Sequence, residues 1–387
     1  MTMVHIVGWG HTRFGKLSDM DLEALVVSAG HEALEHAGVA AADVDGIWLG
    51  HFNGGMVGDG FPSSMALSIH DDLRFTPATR LENACASGAA AIFAARDAIE
   101  SGRAKIALVV GAEKMTHLTT PDVARALGHA SYQAEEAGMS FPQVFAVFAQ
   151  SYFKKWGDQT QTLAEIAAKN HTNAMNNPLA QLHKELPVEF CAMESEKNPM
   201  VATPLKVTDC SLVSDGAAAL VMVSDEIAKS MPRAVRFAAG HQVNDYLPMS
   251  RRDLTAFEGP RRAILGAMTE AGMGLADLHV AEVHDCFTIA ELMIYEAMGL
   301  TEPGQGARAL EEGIVRPGGV LPVNMSGGLK AKGHPVGATG VSMHVLVARQ
   351  VTGTAEGMQV PGAERGLVFN MGGSAVASYA SILESVK

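Results

Sequence analysis

The sequence predicts an α/β protein built from two similar halves. Short apolar runs, typical of buried strands, alternate with stretches of helical periodicity along most of the 387 residues. The same order of strands and helices then recurs in the second part of the chain. Gly (40 residues) and Met (21) are abundant and aromatic residues make up only 6%, which favours an α/β fold over an all-β one.

The first half opens with a strand, a helix and a second strand. The helix over 19–38 has Asp19 or Asp21 as its candidate N-cap, and Gly38 ends it because glycine tolerates the left-handed backbone of a helix C-cap. The predicted elements of this half are the strand Val4–Gly10, the helix over 19–38, the strands Gly46–Gly50 and Arg80–Asn83, the helix Ala86–Ile99, and the strands Ile106–Gly111 and Gly216–Val223.

The second half repeats that order. Its predicted elements are the strand Val235–Gly240, the helix Arg261–Gly272, the strands Val280–Val283 and Leu321–Asn324, the helix Gly340–Val351, and the strands Leu367–Asn370 and Ser374–Ala380. Mostly parallel sheets covered by helices on both faces are expected from this alternation.

Single residues support the duplication. Ala37-Gly38 followed by Asp43 matches Ala271-Gly272 followed by Asp277 with identical spacing, and Asn83 precedes Cys85 where Asn324 precedes Ser326. We therefore predict an N-terminal half over residues 1–232 and a C-terminal half over 233–387. Residues 114–205 do not fit the repeat and are predicted to be an inserted loop domain. This domain either covers a cleft or only packs against the rest of the fold.

Charge and cysteine content exclude several classes of protein. The formal net charge of −13 argues against a nucleic acid partner, because phosphate binding needs a basic face. The four cysteines (85, 191, 210 and 286) have no metal-binding or disulfide-type spacing, so we expect no metal site and a reducing compartment. Without a signal-like N-terminus or a long apolar run, we expect a cytoplasmic protein with no membrane span.

Cys85 is the first candidate catalytic residue. It lies where a strand gives way to a helix, and a helix N-terminus lowers the pKa of a thiol. The small neighbours Ala84, Ala86 and Gly88 leave room for a bulky thioester. The alternative at this position is a buried structural cysteine.

His334 lies in a loop that holds five glycines between residues 326 and 340. So many glycines imply unusual backbone angles and close packing, and a histidine in that setting can take a proton from Cys85 and bond a thioester oxygen. A phosphate-cradling loop is the alternative, but the GxxxxGK[ST] pattern is absent.

Two further segments end strands. His284-Asp285-Cys286 supplies a second thiol, which can remove a proton next to a thioester carbonyl, and an imidazole that can donate to the enolate oxygen. The alternative for Cys286 is a core thiol. The backbone N–H groups of Cys85 and of the turn at Gly372 are a candidate oxyanion hole, and a plain tight turn is the alternative.

Other candidates have simpler interpretations. Cys191 and Cys210 are interpreted as structural thiols, and His171 as packing within the loop domain. Basic residues are candidates for contacts with an anionic cofactor only through their charge, and solvated surface is the simpler interpretation for each: Lys154, Lys155, Arg251 and Arg252.

Taken in order, these motifs resemble the thiolase superfamily, in particular the sterol-carrier-protein-2 type of thiolase. The resemblance covers essentially the whole chain. It rests on six segments: Asn83 to Gly88, Lys169-Asn170-His171, Asn176-Asn177-Pro178, Ser214 to Ala218, His284 to Phe287, and Ser326 to Gly340.

The resemblance implies a five-layered αβαβα fold with two duplicated halves, mixed and mostly parallel sheets, and an inserted loop domain. It implies Cys85 as the acylated nucleophile and His334 as its activator. Ordinary thiolases carry Asn-Glu-Ala-Phe where this chain has His284 to Phe287, and a second catalytic cysteine where this chain has Asn370. In the sterol-carrier type the second cysteine comes from the His-Asp-Cys-Phe motif, so acid–base work is expected of Cys286 and oxyanion stabilisation of His284.

The implied function is acyl transfer between coenzyme A thioesters through an acyl-cysteine, by thiolysis of 3-ketoacyl-CoA or Claisen condensation. Coenzyme A is expected as a substrate, with no tightly bound cofactor. The alternatives are a C-acyltransferase or retro-aldol subunit of a heteromeric complex, or a non-catalytic scaffold subunit. A homodimer or dimer of dimers is expected, with an added small zinc-ribbon/OB-fold subunit as the alternative assembly.

Overall fold

The computed structural model describes residues 2–386, and its first half follows the predicted alternation of strands and helices. The elements of this half, in chain order, are β1 (Val4–His11), α1 (Leu22–Ala37), β2 (Gly46–Gly50), β3 (Ala78–Leu81), α2 (Ser87–Glu100), β4 (Ile106–Glu113), α3 (Thr120–Gly128), α4 (Gln133–Glu136), α5 (Phe141–Trp156), α6 (Thr160–Ala174), α7 (Val188–Ala192), β5 (Met200–Ala202), β6 (Leu205–Lys206), β7 (Gly216–Ser224) and α8 (Asp225–Ala228).

The second half contains four strands of the main sheet and five helices within the described residues. They are, in chain order, β8 (Val235–Asn244), α9 (Glu258–Ala271), β9 (Val280–Val283), α10 (Thr288–Met298), α11 (Arg308–Glu311), α12 (Gly328–Ala331), α13 (Val336–Val351), β10 (Arg365–Gly372) and β11 (Ala377–Ser385). Short 3-10 turns cover Ala41–Asp43, Pro62–Ile69, Asp71–Leu73, Val207–Asp209, Met249–Arg251, Leu275–Asp277 and Glu356–Met358.

Strand order shows the duplication directly. Nine strands join in the order β3-β2-β4-β7-β1-β8-β11-β10-β9. If β8, β9, β10 and β11 are matched to β1, β2, β4 and β7, the second half has the order of the first, reversed about the β1–β8 junction. The predicted pair of similar halves is therefore confirmed at the level of topology, with the two half-sheets joined through His5 and Ile6 of β1.

The sheet is mixed, as predicted. Within residues 2–386, the pairs β2–β3, β2–β4 and β9–β10 are parallel. The five other pairs of this sheet are antiparallel, because the strands that open and close each half run against their neighbours. Antiparallel pairs therefore outnumber parallel ones, whereas the sequence predicted mostly parallel sheets.

One predicted strand is replaced by a single bridge. The segment 321–324 pairs only through Val323, which forms an isolated parallel bridge with Ala281 of β9. It occupies the edge position that β3 occupies in the first half. The prediction of a regular strand here is wrong because Asn324 turns the backbone to a positive φ of 56° and ends the pairing.

Helix α13 is the central layer of the fold. It packs against β4 and β7 of the first half-sheet and also against β9, β10 and β11 of the second, while α2 lies beside it. Helix α1 covers the outer face of the first half-sheet, and α9 covers that of the second. The result is five layers, helix–sheet–helix–sheet–helix, as the sequence resemblance implied.

The two central helices approach more closely than larger residues would allow. A Cβ added at Gly88 of α2 would lie 2.8 Å from the carbonyl oxygen of Gly337 in α13, and one at Gly340 would lie 2.4 Å from the Ala89 nitrogen. The first-half residue Glu113 also accepts the N–H of Gly337 at 3.0 Å. These contacts bring the N-termini of α2 and α13 together.

The helix ends confirm two details of the sequence analysis. Asp21 caps α1 by accepting the N–H of Ala24 at 2.8 Å. Gly38 and Gly272 end α1 and α9 with nearly equal left-handed angles, φ 67° and 65°, a conformation that glycine adopts without strain.

The segment predicted as a loop domain forms α3 to α7 and the β5–β6 hairpin.

The described residues contain no helix long and apolar enough to cross a membrane.

Candidate active site

A cavity of about 520 Å³ lies between the loop-domain segment and the carboxyl ends of the central strands. Cys85, Cys286 and His334 all line it. The predicted cleft-covering role of residues 114–205 is supported because Val123, Phe141 and other side chains of that segment form its walls. The cavity therefore contains three of the four side chains predicted to carry the chemistry.

Cys85 lies in a tight turn between β3 and α2. Ala84 has a positive φ of 50° and α2 begins at Ser87, whose hydroxyl donates to the Ala84 carbonyl at 2.6 Å. Burial raises the pKa of the Cys85 thiol to about 12, and a hydrogen bond from the Gly373 N–H opposes that rise only partly. The expected lowering of the Cys85 pKa by the helix N-terminus is thus outweighed by desolvation, so the resting group is a thiol that needs a base.

His334 is held in one tautomer by Thr339. The Thr339 hydroxyl donates to the Pro335 carbonyl at 3.0 Å, so it accepts from Nδ1 of His334, 2.7 Å away. Burial and the Lys332 charge lower the pKa of His334 to about 3. The ring is therefore neutral, and its Nε2, which is buried with no hydrogen-bond partner among residues 2–386, is an unprotonated base.

His284 is held in the opposite tautomer by Asn370. The Asn370 amide nitrogen lies 3.2 Å from the Cys85 carbonyl oxygen and 2.9 Å from Nδ1 of His284. A carbonyl only accepts, so this atom is the NH₂ group and Nδ1 of His284 accepts from it. Burial, His334 and Lys332 keep the pKa of His284 well below its usual value, so its Nε2 carries the proton and is a donor.

These groups converge although they are far apart in the sequence. The Cys85 sulfur, one ring nitrogen of His284 and one of His334 all lie within 4.8 Å of one another. The two imidazole rings meet edge to face, with centroids 5.1 Å apart and planes at 85°. The arrangement combines a thiol, a neutral base and a neutral donor in one place.

Cys286 lies in the same cavity as Cys85. Burial raises the pKa of Cys286 well above its usual value, and the nearby Cys85 sulfur raises it further. Its backbone is fixed by the Ser211 N–H, which donates to the Cys286 carbonyl at 2.9 Å. A neutral thiol of high pKa is suited to return a proton to a carbanion.

The glycine whose N–H reaches the Cys85 sulfur is Gly373, one residue after the predicted Gly372. Gly372 ends β10, where its Cα packs so tightly that an added Cβ would lie 2.1 Å from the Asn83 carbonyl oxygen. Gly373 lines the cavity. The role of the Gly372 N–H as an oxyanion donor stays a prediction. The close packing of Gly372 brings the next residue, Gly373, close to Cys85.

Asp285 connects the two second-half segments that carry candidate catalytic residues. Its carboxyl group accepts the backbone N–H groups of Leu329 (2.6 Å) and Lys330 (3.2 Å) in α12, and the Asn170 amide at 2.8 Å. Burial and the neighbouring Glu291 raise the pKa of Asp285 to about 7. Asp285 thereby ties the loop that leads to His334 to the strand end that carries Cys286.

The predicted cofactor-contact candidates do not line this cavity. Arg252 donates to the carbonyl and hydroxyl of Ser374 (both 2.7 Å), and Lys155 to the Thr255 hydroxyl at 3.0 Å. Arg251 stacks on Tyr246, and Lys154 lies at the end of α5. The lysines that line the cavity are instead Lys184, Lys197 and Lys330.

Two residues interpreted as structural also line the cavity. Cys210 lies there with its sulfur 3.4 Å from the Lys206 carbonyl oxygen, and burial raises its pKa to about 12. His171 of α6 lies there too. Cys191 is fully buried outside the lining.

Family models match both halves of the chain. The thiolase N-terminal domain matches residues 4–226, and the thiolase C-terminal domain-like family matches residues 240–385. The chain belongs to the thiolase family. The resemblance inferred from the sequence motifs is therefore confirmed, and the chain is an acyltransferase of the thiolase type.

Individual relatives and solved structures agree with this membership. This thiolase is 36% identical to an acetyl-CoA acetyltransferase of Methanothermobacter thermautotrophicus, over 97% of each chain. It is 33% identical to sterol carrier protein 2 of Bos taurus, over 95% of this chain and 70% of that one. Its fold superposes on the Ltp2-ChsH2(DUF35) aldolase (TM-score 0.81, 23% identity, 99% and 98% covered). A human mitochondrial 3-ketoacyl-CoA thiolase in complex with CoA gives a TM-score of 0.76 (18% identity, 100% and 98% covered).

Sequence reasoning missed three groups that shape the site of this thiolase. Thr339 and Asn370 set the protonated nitrogens of the two imidazoles, and the buried Lys332 lowers the pKa of both. Asn370 was noted only as a departure from the ordinary thiolase pattern. The sequence offers one indication that Asn370 contacts His284: both residues differ from the ordinary thiolase pattern.

Proposed function

We propose that this thiolase cleaves 3-ketoacyl-CoA thioesters, and forms them in the reverse direction, through an acyl group carried on Cys85. The observation that supports this most is the convergence of the Cys85 sulfur with ring nitrogens of His284 and His334 within 4.8 Å. Opposite tautomers at the two histidines place a base and a donor at one thiol, which is the combination that acyl transfer needs.

In the first step, Nε2 of His334 takes the Cys85 proton and the sulfur attacks the 3-keto carbon. Because His334 is neutral and the pKa of the Cys85 thiol is raised, the proton is transferred as the sulfur attacks, rather than from a thiolate already present in the resting enzyme. The backbone N–H groups of Cys85 and of the turn at Gly372 and Gly373 are proposed to stabilise the resulting oxyanion.

In the second step, the bond between carbons 2 and 3 breaks and the acyl group stays on Cys85. The electron pair leaves as the enolate of acetyl-CoA, to which Nε2–H of His284 donates a hydrogen bond and Cys286 gives its proton. The thiol of a second CoA then attacks acyl-Cys85, losing its proton to the resulting Cys286 thiolate. The acyl–sulfur bond then breaks, the Cys85 thiolate leaves and takes its proton back from protonated His334, so every group returns to its starting state and the cycle is ping-pong.

Coenzyme A is proposed to enter past Lys184 and Lys197. Both are exposed lining residues at the loop-domain side of the cavity, and the described lining contains no Asp or Glu. Cationic side chains at an entrance favour the phosphates of the cofactor. The largely apolar wall beyond them is suited to an acyl group larger than acetyl.

Assembly and location remain proposals. We infer that the chain divides into halves 1–232 and 233–387, with the loop domain near 114–205 inserted in the first. We also infer that it assembles as a homodimer or a dimer of dimers. A cytoplasmic location is consistent with its four free cysteines. A heteromeric retro-aldol or C-acyltransferase assembly is the second candidate, since a solved neighbour pairs with a DUF35 subunit. Light scattering of the purified chain, alone and with co-expressed small zinc-ribbon/OB-fold proteins, separates these assemblies.

The decisive experiment is thiolysis of a graded 3-ketoacyl-CoA series combined with intact mass spectrometry. We expect acetyl-CoA release and a thiol-labile acyl adduct that maps to Cys85. Activity should persist in EDTA, which addresses metal binding by the Cys85, His284 and His334 set. Absence of any adduct across the series would favour the scaffold alternative.

A further inference from the structure

Lys330 is a buried cation of the cavity wall. It lies on α12 with 3% of its surface exposed, and it lines the cavity. Its backbone N–H bonds to Asp285, but among residues 2–386 its ammonium group forms no hydrogen bond or ion pair. Burial accordingly lowers the pKa of Lys330.

The carboxylates near Lys330 are committed elsewhere. Asp209 pairs with the Lys206 ammonium at 3.1 Å and accepts from the Thr288 hydroxyl at 2.9 Å. Asp285 accepts two backbone N–H groups and the Asn170 amide. Asp209 and Asp285 act on Lys330 through space, but neither forms a direct ion pair with it. A buried ammonium group without a direct counter-ion is costly to keep, so a position for an anion is open beside Lys330.

His171 marks the same part of the cavity. Its Nδ1 lies 2.9 Å from the Lys184 carbonyl oxygen and therefore carries the proton, while Nε2 is buried and has no partner in the part of the chain that the structure describes. Burial, followed by the Lys330 charge, lowers the pKa of His171 to about 4. Two side chains of the cavity lining, each at least nine-tenths buried, thus carry a nitrogen atom for which residues 2–386 supply no partner.

The position of Lys330 decides which part of the substrate meets it. Its N–H bonds to the neighbour of Cys286, so its backbone lies beside that reacting segment, while its charge acts on His171 and Cys210 of the cavity wall. The pantetheine arm keeps the phosphates of coenzyme A far from the thioester. A substrate anion close to this segment belongs to the acyl group.

We propose that this thiolase accepts acyl groups that end in a carboxylate, so that its substrates are CoA thioesters of dicarboxylic acids and the carboxylate pairs with Lys330. The inference rests on the proposed function for the presence of a CoA thioester in the cavity. Both observations that carry it, the unpartnered ammonium and the lining without Asp or Glu, are independent of the catalytic groups.

Equilibrium binding tests the proposal without turnover. The Cys85→Ala chain, which cannot be acylated, is titrated calorimetrically with adipyl-, suberyl- and sebacyl-CoA and with hexanoyl-, octanoyl- and decanoyl-CoA. At one or more chain lengths we expect the carboxylate ligand to bind about 10- to 100-fold more tightly, as for a charge-assisted hydrogen bond in a dry site.

Three variants in the same background sharpen the result. Lys330→Met should abolish the preference, Lys330→Arg should retain much of it, and the matched Lys184→Met should weaken both ligands equally. Equal or tighter binding of the methyl-ended ligand at every length overturns the proposal, as does equal weakening of both series by Lys330→Met. Because no turnover is involved, a missing thiolysis activity would count against the proposed function only.

Discussion

The two halves of this thiolase share a scaffold but differ in what their strand–helix junctions carry. In the first half the junction before α2 holds Cys85, and in the second half the junction before α13 holds His334, each two residues before its helix begins. The second half also supplies His284 and Cys286. Duplication therefore explains why two helix N-termini meet at the centre, and divergence explains why a thiol faces an imidazole there.

The difference is also electrostatic. The first-half thiol has its pKa raised to about 12 by burial, whereas the second-half imidazoles have theirs lowered, by burial first and then by charge. All resting groups are neutral, which lowers the cost of burying them. The chemistry then requires proton transfers between the halves, and each prediction below tests one side of that division.

Removal of the first-half nucleophile is expected to have the largest effect. Cys85→Ala should lower kcat/KM for 3-ketoacyl-CoA thiolysis by at least about 10⁴-fold, because the covalent route disappears. Steady-state thiolysis and intact mass measure the rate and the adduct. Turnover within about tenfold of wild type would reject Cys85 as the acyl carrier.

Cys286→Ala should separate the two half-reactions. Carbon–carbon cleavage should slow by roughly 10³-fold because the enolate loses its proton donor. Acylation of Cys85 by a simple acyl-CoA does not need that proton and should continue, as measured by intact mass. Equal loss of both half-reactions would instead mean that Cys286 supports the structure around Cys85.

Asn370→Asp should reverse the tautomer of His284. A carboxylate accepts where the amide donates, so the His284 proton moves to Nδ1 and Nε2 ceases to be a donor. We expect kcat to fall about 10²-fold, with KM nearly unchanged. Asn370→Ala is the control and should lower kcat less. The ¹⁵N chemical shifts of the His284 imidazole report its tautomer. An unchanged spectrum in Asn370→Asp would contradict the assignment.

Lys332→Met should change the pH profile more than the rate at pH 7. The ammonium group lowers the pKa of His334 and His284, so its removal raises both. The acid limb of kcat/KM should move to higher pH by up to about one unit. Lys330→Met is the matched control and should leave the limb in place, since Lys330 is not among the charges that shift the pKa of His334.

Acid stability should show the smallest effect and involve both halves. Burial lowers the pKa of His11 to about 3 and that of His344 to about 4. Unfolding lets them take up protons near their ordinary pKa of 6.5, so stability is full above that value and falls as the pH drops toward 4. Calorimetry from pH 7 to 5 should show Tm falling by a few degrees, with a flatter dependence in His344→Phe; an unchanged slope would exclude His344.

Local patterns were sufficient for most elements. Strands Gly46–Gly50 and Val280–Val283 were predicted with their observed bounds, since both are short apolar runs bordered by turns or polar residues. The segment 321–324 is also largely apolar, yet it forms a single bridge to Ala281 because Asn324 turns the backbone away from the sheet. The order and direction of the strands in the sheet likewise depend on pairing between distant segments, which local sequence patterns do not give.

The sequence by itself determined the thiolase family, the duplicated order of elements and the identity of the candidate catalytic side chains, because these depend on motifs and local periodicity. Only the tertiary structure decided the protonation of those side chains: Cys85 a thiol, His334 a base, His284 a donor. Protonation depends on burial and on hydrogen-bond partners such as Asn370, which lies 285 residues from Cys85. The open position beside Lys330 depends on the same kind of distant contact, because an ammonium group lacks a partner only when the folded chain has placed every nearby carboxylate elsewhere.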